Sequence, residues 1–180
     1  MTIISAIGII IYLGLAGWCV FAARVAAGFA EWRRARRLLL LAAIAFAGLA
    51  LWRFFGTEEW LRTLARAWLA ESGRYQTRKA LQVAALLVLA IPAVLVLVRI
   101  ARGLRRNGSV DRAAWLIEAG LWGMAMLMAL RLTSWGPIDR ILYGGPVHLN
   151  WLVEGAIVAL VGLGAARTVM ACRRQRGSQA

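Results

Sequence analysis

One histidine, two cysteines, three prolines and a single lysine stand among 180 residues, and each scarcity removes a class of function. With His148 as the only imidazole, a bis-histidine haem of the cytochrome b type cannot form within one chain, and a zinc site lacks ligands. Neither a metal centre nor another cofactor is expected. Cys19 and Cys172 make no Cys-x-x-Cys motif and, in the orientation argued below, fall near the cytoplasmic ends of the first and last apolar runs, on the reducing side, so two packed thiols and no disulfide are expected. No glycine-rich phosphate loop and no Gly-x-Ser-x-Gly occur; Gly144-Gly145-Pro146 reads as a turn.

Apolar residues are what the chain has in excess. They make up 62% of it, with a mean hydropathy of +0.69, against roughly half in an ordinary soluble domain. Runs of about twenty apolar residues alternate with short arginine-rich connections, the pattern of repeated bilayer crossings. The expected fold is all-α and integral to the membrane: one domain over 1–180 in which five transmembrane helices form a single bundle, with spans at 2–23, 38–55, 81–100, 113–132 and 150–172. The first run carries no charge until Arg24. It lacks a basic leader and exceeds the about 7 to 15 apolar residues of a signal peptide, so it is expected to stay as a span. Pro92 should kink the third span.

The net charge of +14 would ordinarily raise nucleic-acid binding, but here the arginines sit in short juxtamembrane connections with no soluble domain to decorate. The expected partner is a bilayer with anionic headgroups, not nucleic acid. Arg24, Arg33, Arg34, Arg36 and Arg37, then Arg99, Arg102, Arg105, Arg106 and Arg112, and finally Arg167, Arg173, Arg174 and Arg176 fall on one side of a five-span topology. Arg53, Arg62, Arg66, Arg74, Arg78, Lys79, Arg131 and Arg140 fall on the other. The richer side faces the cytoplasm by the positive-inside rule, which puts the N-terminus outside and the C-terminus inside. Twenty-one arginines against one lysine, in a chain rich in Ala, Leu and Gly, point to a high-GC bacterial genome and hence a bacterial inner membrane.

Residues 57–71 are expected to form an interfacial amphipathic helix. Trp60, Leu61, Leu64, Ala67 and Trp68 recur at helical spacing, while Glu58, Glu59, Arg62 and Arg66 occupy the other side. Thr57 supplies an N-cap residue, and Ser72-Gly73 a stop. The tryptophans would lie at the headgroup boundary.

Polar groups converge at the outer side. Glu154 lies about one turn inside the fifth span and Arg131 at the outer end of the fourth, with Asp139, Arg140, His148 and Asn150 between them. An ionised carboxylate in lipid needs a partner, so Glu154 should face the bundle and meet Arg131, with Arg53 or Arg140 as alternatives. These six residues, joined by Arg74 and Tyr75 from the second connection, are the candidates for binding a ligand or partner. No catalytic residue is assigned, although His148 could act as a base beside Asp139 or Glu154. Glu118 lies toward the cytoplasmic end, where Arg99 or Arg102 should pair with it. Gly14, Gly17, Gly120, Gly123, Gly155, Gly162 and Gly164 offer close helix approaches, within the chain or between copies.

The run Glu71-Ser-Gly-Arg-Tyr-Gln-Thr-Arg-Lys-Ala-Leu-Gln, followed by Arg131-Leu-Thr-Ser, Asp139 and Asn150-Trp151-Leu-Val-Glu154, resembles small bacterial multi-spanning membrane proteins with a domain of unknown function. The resemblance covers two loops and the starts of spans. It implies a compact bundle with a polar outer face and carries no activity. The expected role is an accessory or assembly protein that recognises a partner protein, lipid or small ligand at that face, within a membrane complex or a homo-oligomer. The alternative is a membrane-embedded enzyme or carrier for an amphiphile such as a lipid or quinone.

Overall fold

Helix-forming Ala, Leu and Arg dominate both the apolar runs and their flanks, and in lipid a helix satisfies every backbone polar group within its own segment. A computed structural model of the chain describes residues 3–57, 60, 63, 64, 67, 94, 98, 109–133 and 149–178. Four long helices carry most of them: α1 Ile3–Ala26, α2 Arg33–Phe54, α3 Ser109–Thr133 and α4 Leu149–Gly177. A 3-10 turn, Ala30–Trp32, joins α1 to α2. No strand occurs among the described residues. All four helices are long and apolar enough to cross a membrane, which fits a multi-pass membrane protein. Of the expected third span only Val94 and Val98 are described, and of the expected interfacial helix only Thr57, Trp60, Thr63, Leu64 and Ala67, all helical; the rest of both lies outside the described residues.

The helices outrun the spans expected from hydropathy. Helix α2 begins at Arg33 rather than at 38, and α4 continues to Gly177 rather than stopping at 172. Arginine is a good helix former, and its long side chain reaches the headgroups from the helix end, so charge ends the hydrocarbon segment without ending the helix. At about 1.5 Å per residue, α4 is roughly 43 Å long, beyond the roughly 30 Å of a hydrocarbon core. Helix α2 stops at Gly56, whose φ of 62° is a left-handed cap that Gly adopts without cost; the Phe55 amide donates to the Leu51 carbonyl.

Helix α1 packs mainly on α2, and α3 mainly on α4; α1 also touches α4, and α2 touches α3. One continuous core joins them through Tyr12, Leu39, Phe46, Ile117, Leu127 and Val161. Tyr12 and Phe46 tilt against each other at 5.6 Å between ring centroids. Between α3 and α4 the approach is close. A Cβ on Gly164 would come within 2.7 Å of Ile117 Cγ1 and 3.1 Å of the Ala113 carbonyl oxygen, and one on Gly120 would collide with Val161 Cγ2. By contrast, Gly14, Gly17 and Gly155 have open space where a Cβ would stand, so these three make no close approach within the chain. Ile10, Ile44, Leu51, Phe54 and Leu163 point outward, as lipid-facing side chains do.

One end of the bundle is tied by Trp32, fully buried, which donates its Nε1 hydrogen to Gln175 Oε1 at 3.2 Å. Gln175 Nε2 donates in turn to Glu31. Beside them Arg34 Nη2 lies 2.7 Å from Glu118 Oε2 and stacks its guanidinium 4.9 Å from the Trp115 ring centroid. Glu118 therefore pairs with a residue of the first connection that the sequence reading passed over; Arg99 and Arg102, expected there, lie outside the described residues. Cys19 and Cys172 are buried as free thiols in separate clusters.

Candidate functional site

At the other end, all four helices send a polar side chain to one point. Glu154 sits in the second turn of α4 and Asn150 in the first, four residues apart and hence on one face. Arg53 closes α2 and Arg131 closes α3. Tyr12 comes from the first half of α1. A carboxylate near a helix N-terminus and guanidiniums near helix C-termini each complement the local backbone dipole.

Glu154 is 8% exposed and Arg131 only 3%. Arg131 Nη2 donates to Glu154 Oε2, while its Nε donates to Asn150 Oδ1 at 2.9 Å, which fixes the plane of the guanidinium. Arg53 approaches from the opposite side, Nη1 at 3.0 Å from Oε1 and Nη2 at 3.5 Å from Oε2. The Tyr12 hydroxyl donates to Oε1, and its ring lies 5.5 Å beneath the Arg53 guanidinium. Four donor contacts from three side chains offset the desolvation that would otherwise expel a carboxylate from this position. Arg53 reaches Glu154 by crossing α1 at Gly8, where a Cβ would collide with Nη1.

The pairing of Glu154 with Arg131 agrees with the sequence expectation, and Arg53, held there as an alternative, joins it instead of replacing it. Asn150 belongs to the cluster as well. Tyr12 was missed. The available signal was a lone phenol inside an otherwise apolar first span, since a buried Tyr hydroxyl requires a partner. Asp139, Arg140, His148, Arg74, Tyr75 and Trp68 lie outside the described residues. Trp60 is described and is 62% exposed. Among the described residues no three metal-ligating side chains converge.

A pocket of about 240 Å³ opens beside the cluster. Ile7, Ile11, Trp151 and Val158 form apolar walls, Gly155 leaves space unfilled, Gly8 makes room for Arg53, and Tyr12, Arg53 and Glu154 supply the polar end. Arg53 is the adaptable member: its side chain is 23% exposed against 4% for Arg131, and only two of its five N–H groups go to Glu154. The others are available to an oxygen in the pocket. Both carboxylate oxygens of Glu154 already accept from Tyr12, Arg53 and Arg131, so the donors left over on Arg53 are what the cluster offers to a polar group in the pocket.

No protein-family model matches the chain, and neither curated proteins nor solved structures yield a match.

Proposed function

We propose that this chain is an accessory protein of a bacterial inner membrane that binds one amphiphilic molecule at its outer face, with the polar head on Arg53 and Tyr12 and the apolar body against Ile7, Ile11 and Val158. The observation that carries this reading is the pocket itself: apolar walls ending on a guanidinium with unused donors. The saturation of Glu154 favours recognition over the enzymatic alternative. The resemblance to small bacterial membrane proteins with a polar outer face agrees with the placement and adds no activity.

Residues 81–100 complete a five-span bundle in this reading, and 57–71 form an interfacial helix. Support comes from direction. The start of α2 meets the first half of α3 through Arg34 and Glu118, while the ends of both meet Glu154 through Arg53 and Arg131. The two helices run the same way, which supports reading the intervening chain as one further span that returns across the bundle. Among the described residues, Arg24, Arg33, Arg34, Arg36, Arg37, Arg112, Arg167, Arg173, Arg174 and Arg176 sit toward the Trp32 end and Arg53 and Arg131 at the Glu154 end, which favours a cytoplasmic C-terminus. An alkaline phosphatase fused after Ala180 is expected to be inactive, and one inserted within 56–79 active; the reverse pattern overturns the orientation.

The binding reading is tested by filling the pocket. A Cβ at Gly155 meets nothing within 4 Å, so Gly155→Leu occupies the cavity without clashing with the bundle. Wild-type protein extracted in mild detergent should carry an amphiphile visible by mass spectrometry of the organic extract, and Gly155→Leu should lose it while melting normally. Arg53→Gln removes a charged donor and is expected to weaken retention by roughly tenfold to a hundredfold. Equal occupancy in the wild type and both variants would sink the proposal.

A further inference from the structure

We propose that a second site, at the opposite end of the bundle, binds the phosphate of an anionic phospholipid. Arg112 near the start of α3, and Arg167 and Arg174 of α4, line one cavity of about 360 Å³ together with Met170, Ala171 and Gln175. On α4 the positions 167, 170, 171 and 174 follow the i, i+3, i+4, i+7 spacing of a single helix face. Helix α3 brings Arg112 to the same depth as Arg167, because the Ala113 carbonyl is the backbone group that a Cβ on Gly164 would meet.

Arg167 and Arg174, both exposed, put two guanidiniums on one wall of this cavity, and like charges gathered around one space favour an anion there. The depth identifies the anion. Arg167 lies 13 residues beyond Glu154, about 20 Å along the helix, and Arg174 about 10 Å further. Against a hydrocarbon core of roughly 30 Å that begins about one turn before Glu154, Arg167 lies about 5 Å short of the far edge, a distance its long side chain spans, and Arg174 about 5 Å beyond it, in the headgroup layer. A phosphate bound there is at the depth of a lipid headgroup. The helix surface supplies the rest of such a ligand's contacts: Leu163, 56% exposed, and Met170, 53% exposed, continue the same stripe toward the bilayer interior, where an acyl chain would lie. This site shares no residue with the Arg53 pocket, so its fate is independent of the proposed function.

The test uses the full chain in nanodiscs of phosphatidylcholine doped with phosphatidylglycerol, with lipid retained after transfer to detergent counted by native mass spectrometry. Wild type should retain phosphatidylglycerol over phosphatidylcholine. Arg167→Gln/Arg174→Gln should lower that retention more than tenfold, at about fivefold per arginine. Arg173→Gln/Arg176→Gln removes the same charge from exposed positions of the same helix outside the cavity and should change retention less than twofold. Equal loss in both double variants reduces the effect to bulk charge and overturns the site, as does equal retention of the two lipids by wild type. A third arm adds inorganic phosphate alone: displacement of the lipid only at high salt supports the assignment, whereas full displacement at low millimolar phosphate makes free phosphate the occupant and overturns the lipid.

Discussion

Glu154→Ala is expected to destabilise the bundle by about 3 to 5 kcal/mol, because it removes the carboxylate on which the buried Arg131 and the half-buried Arg53 converge. Arg131 has no route to water: its side chain is 4% exposed, and Asn150 holds its Nε. Arg53 is more accessible and can turn its guanidinium toward the headgroups, so most of the penalty falls on Arg131. The paired change Arg131→Leu with Glu154→Leu removes both buried charges and should recover much of the loss. Unfolding in mild detergent, read by intrinsic tryptophan fluorescence, measures all three. The expected signature is coupling of about 2 kcal/mol in the double-mutant cycle; additivity within about 0.5 kcal/mol would mean that the two side chains do not act on each other. The same double variant also separates structure from recognition. If it folds and still carries the ligand, the pair holds helices together; if it folds empty, the pair belongs to the binding site.

How far the sequence spoke follows from how each signal is generated. Apolar length is a local property, so four of the expected spans reappear as α1 to α4 within a few residues. Their ends were less legible, because Arg33 to Arg37 and Cys172 to Gly177 continue a helix after leaving hydrocarbon, and hydropathy measures only the second event. Charge in lipid is also legible: a lone carboxylate at Glu154 demands cations, and the nearest candidates in depth, Arg131 and Arg53, both answer. What one dimension cannot carry is azimuth. Tyr12 reaches Glu154 only because α1 packs beside α4, across 142 residues of sequence. The Arg34 to Glu118 pair depends in the same way on α2 running parallel to α3, which sequence spacing does not encode.

The glycines show the same limit and yield the second large effect. A Gly-rich stripe announces that helices can approach but not which stripe does so: Gly14 and Gly17 face outward with empty space, while Gly120 and Gly164 are the contact. At Gly164 the neighbours of an added Cβ include the Ala113 carbonyl oxygen at 3.1 Å and the Ile117 amide nitrogen at 3.2 Å. Backbone cannot rotate aside as a side chain can, so a larger residue there must push α3 off α4. Gly164→Leu should therefore cost about 1 to 3 kcal/mol, Gly120→Leu a similar amount, and the double variant enough to broaden or abolish the monodisperse detergent peak. Gly14→Leu provides the contrast. Its site is open and exposed to lipid, and replacing Gly in a helix interior gains up to about 1 kcal/mol of propensity, so its melting temperature should stay level or rise. A Gly164→Leu protein as stable as wild type, beside a Gly14→Leu protein that melts early, would place the close helix contact on α1 and refute the α3 to α4 interface on which the geometry of Arg131 and Glu154 depends.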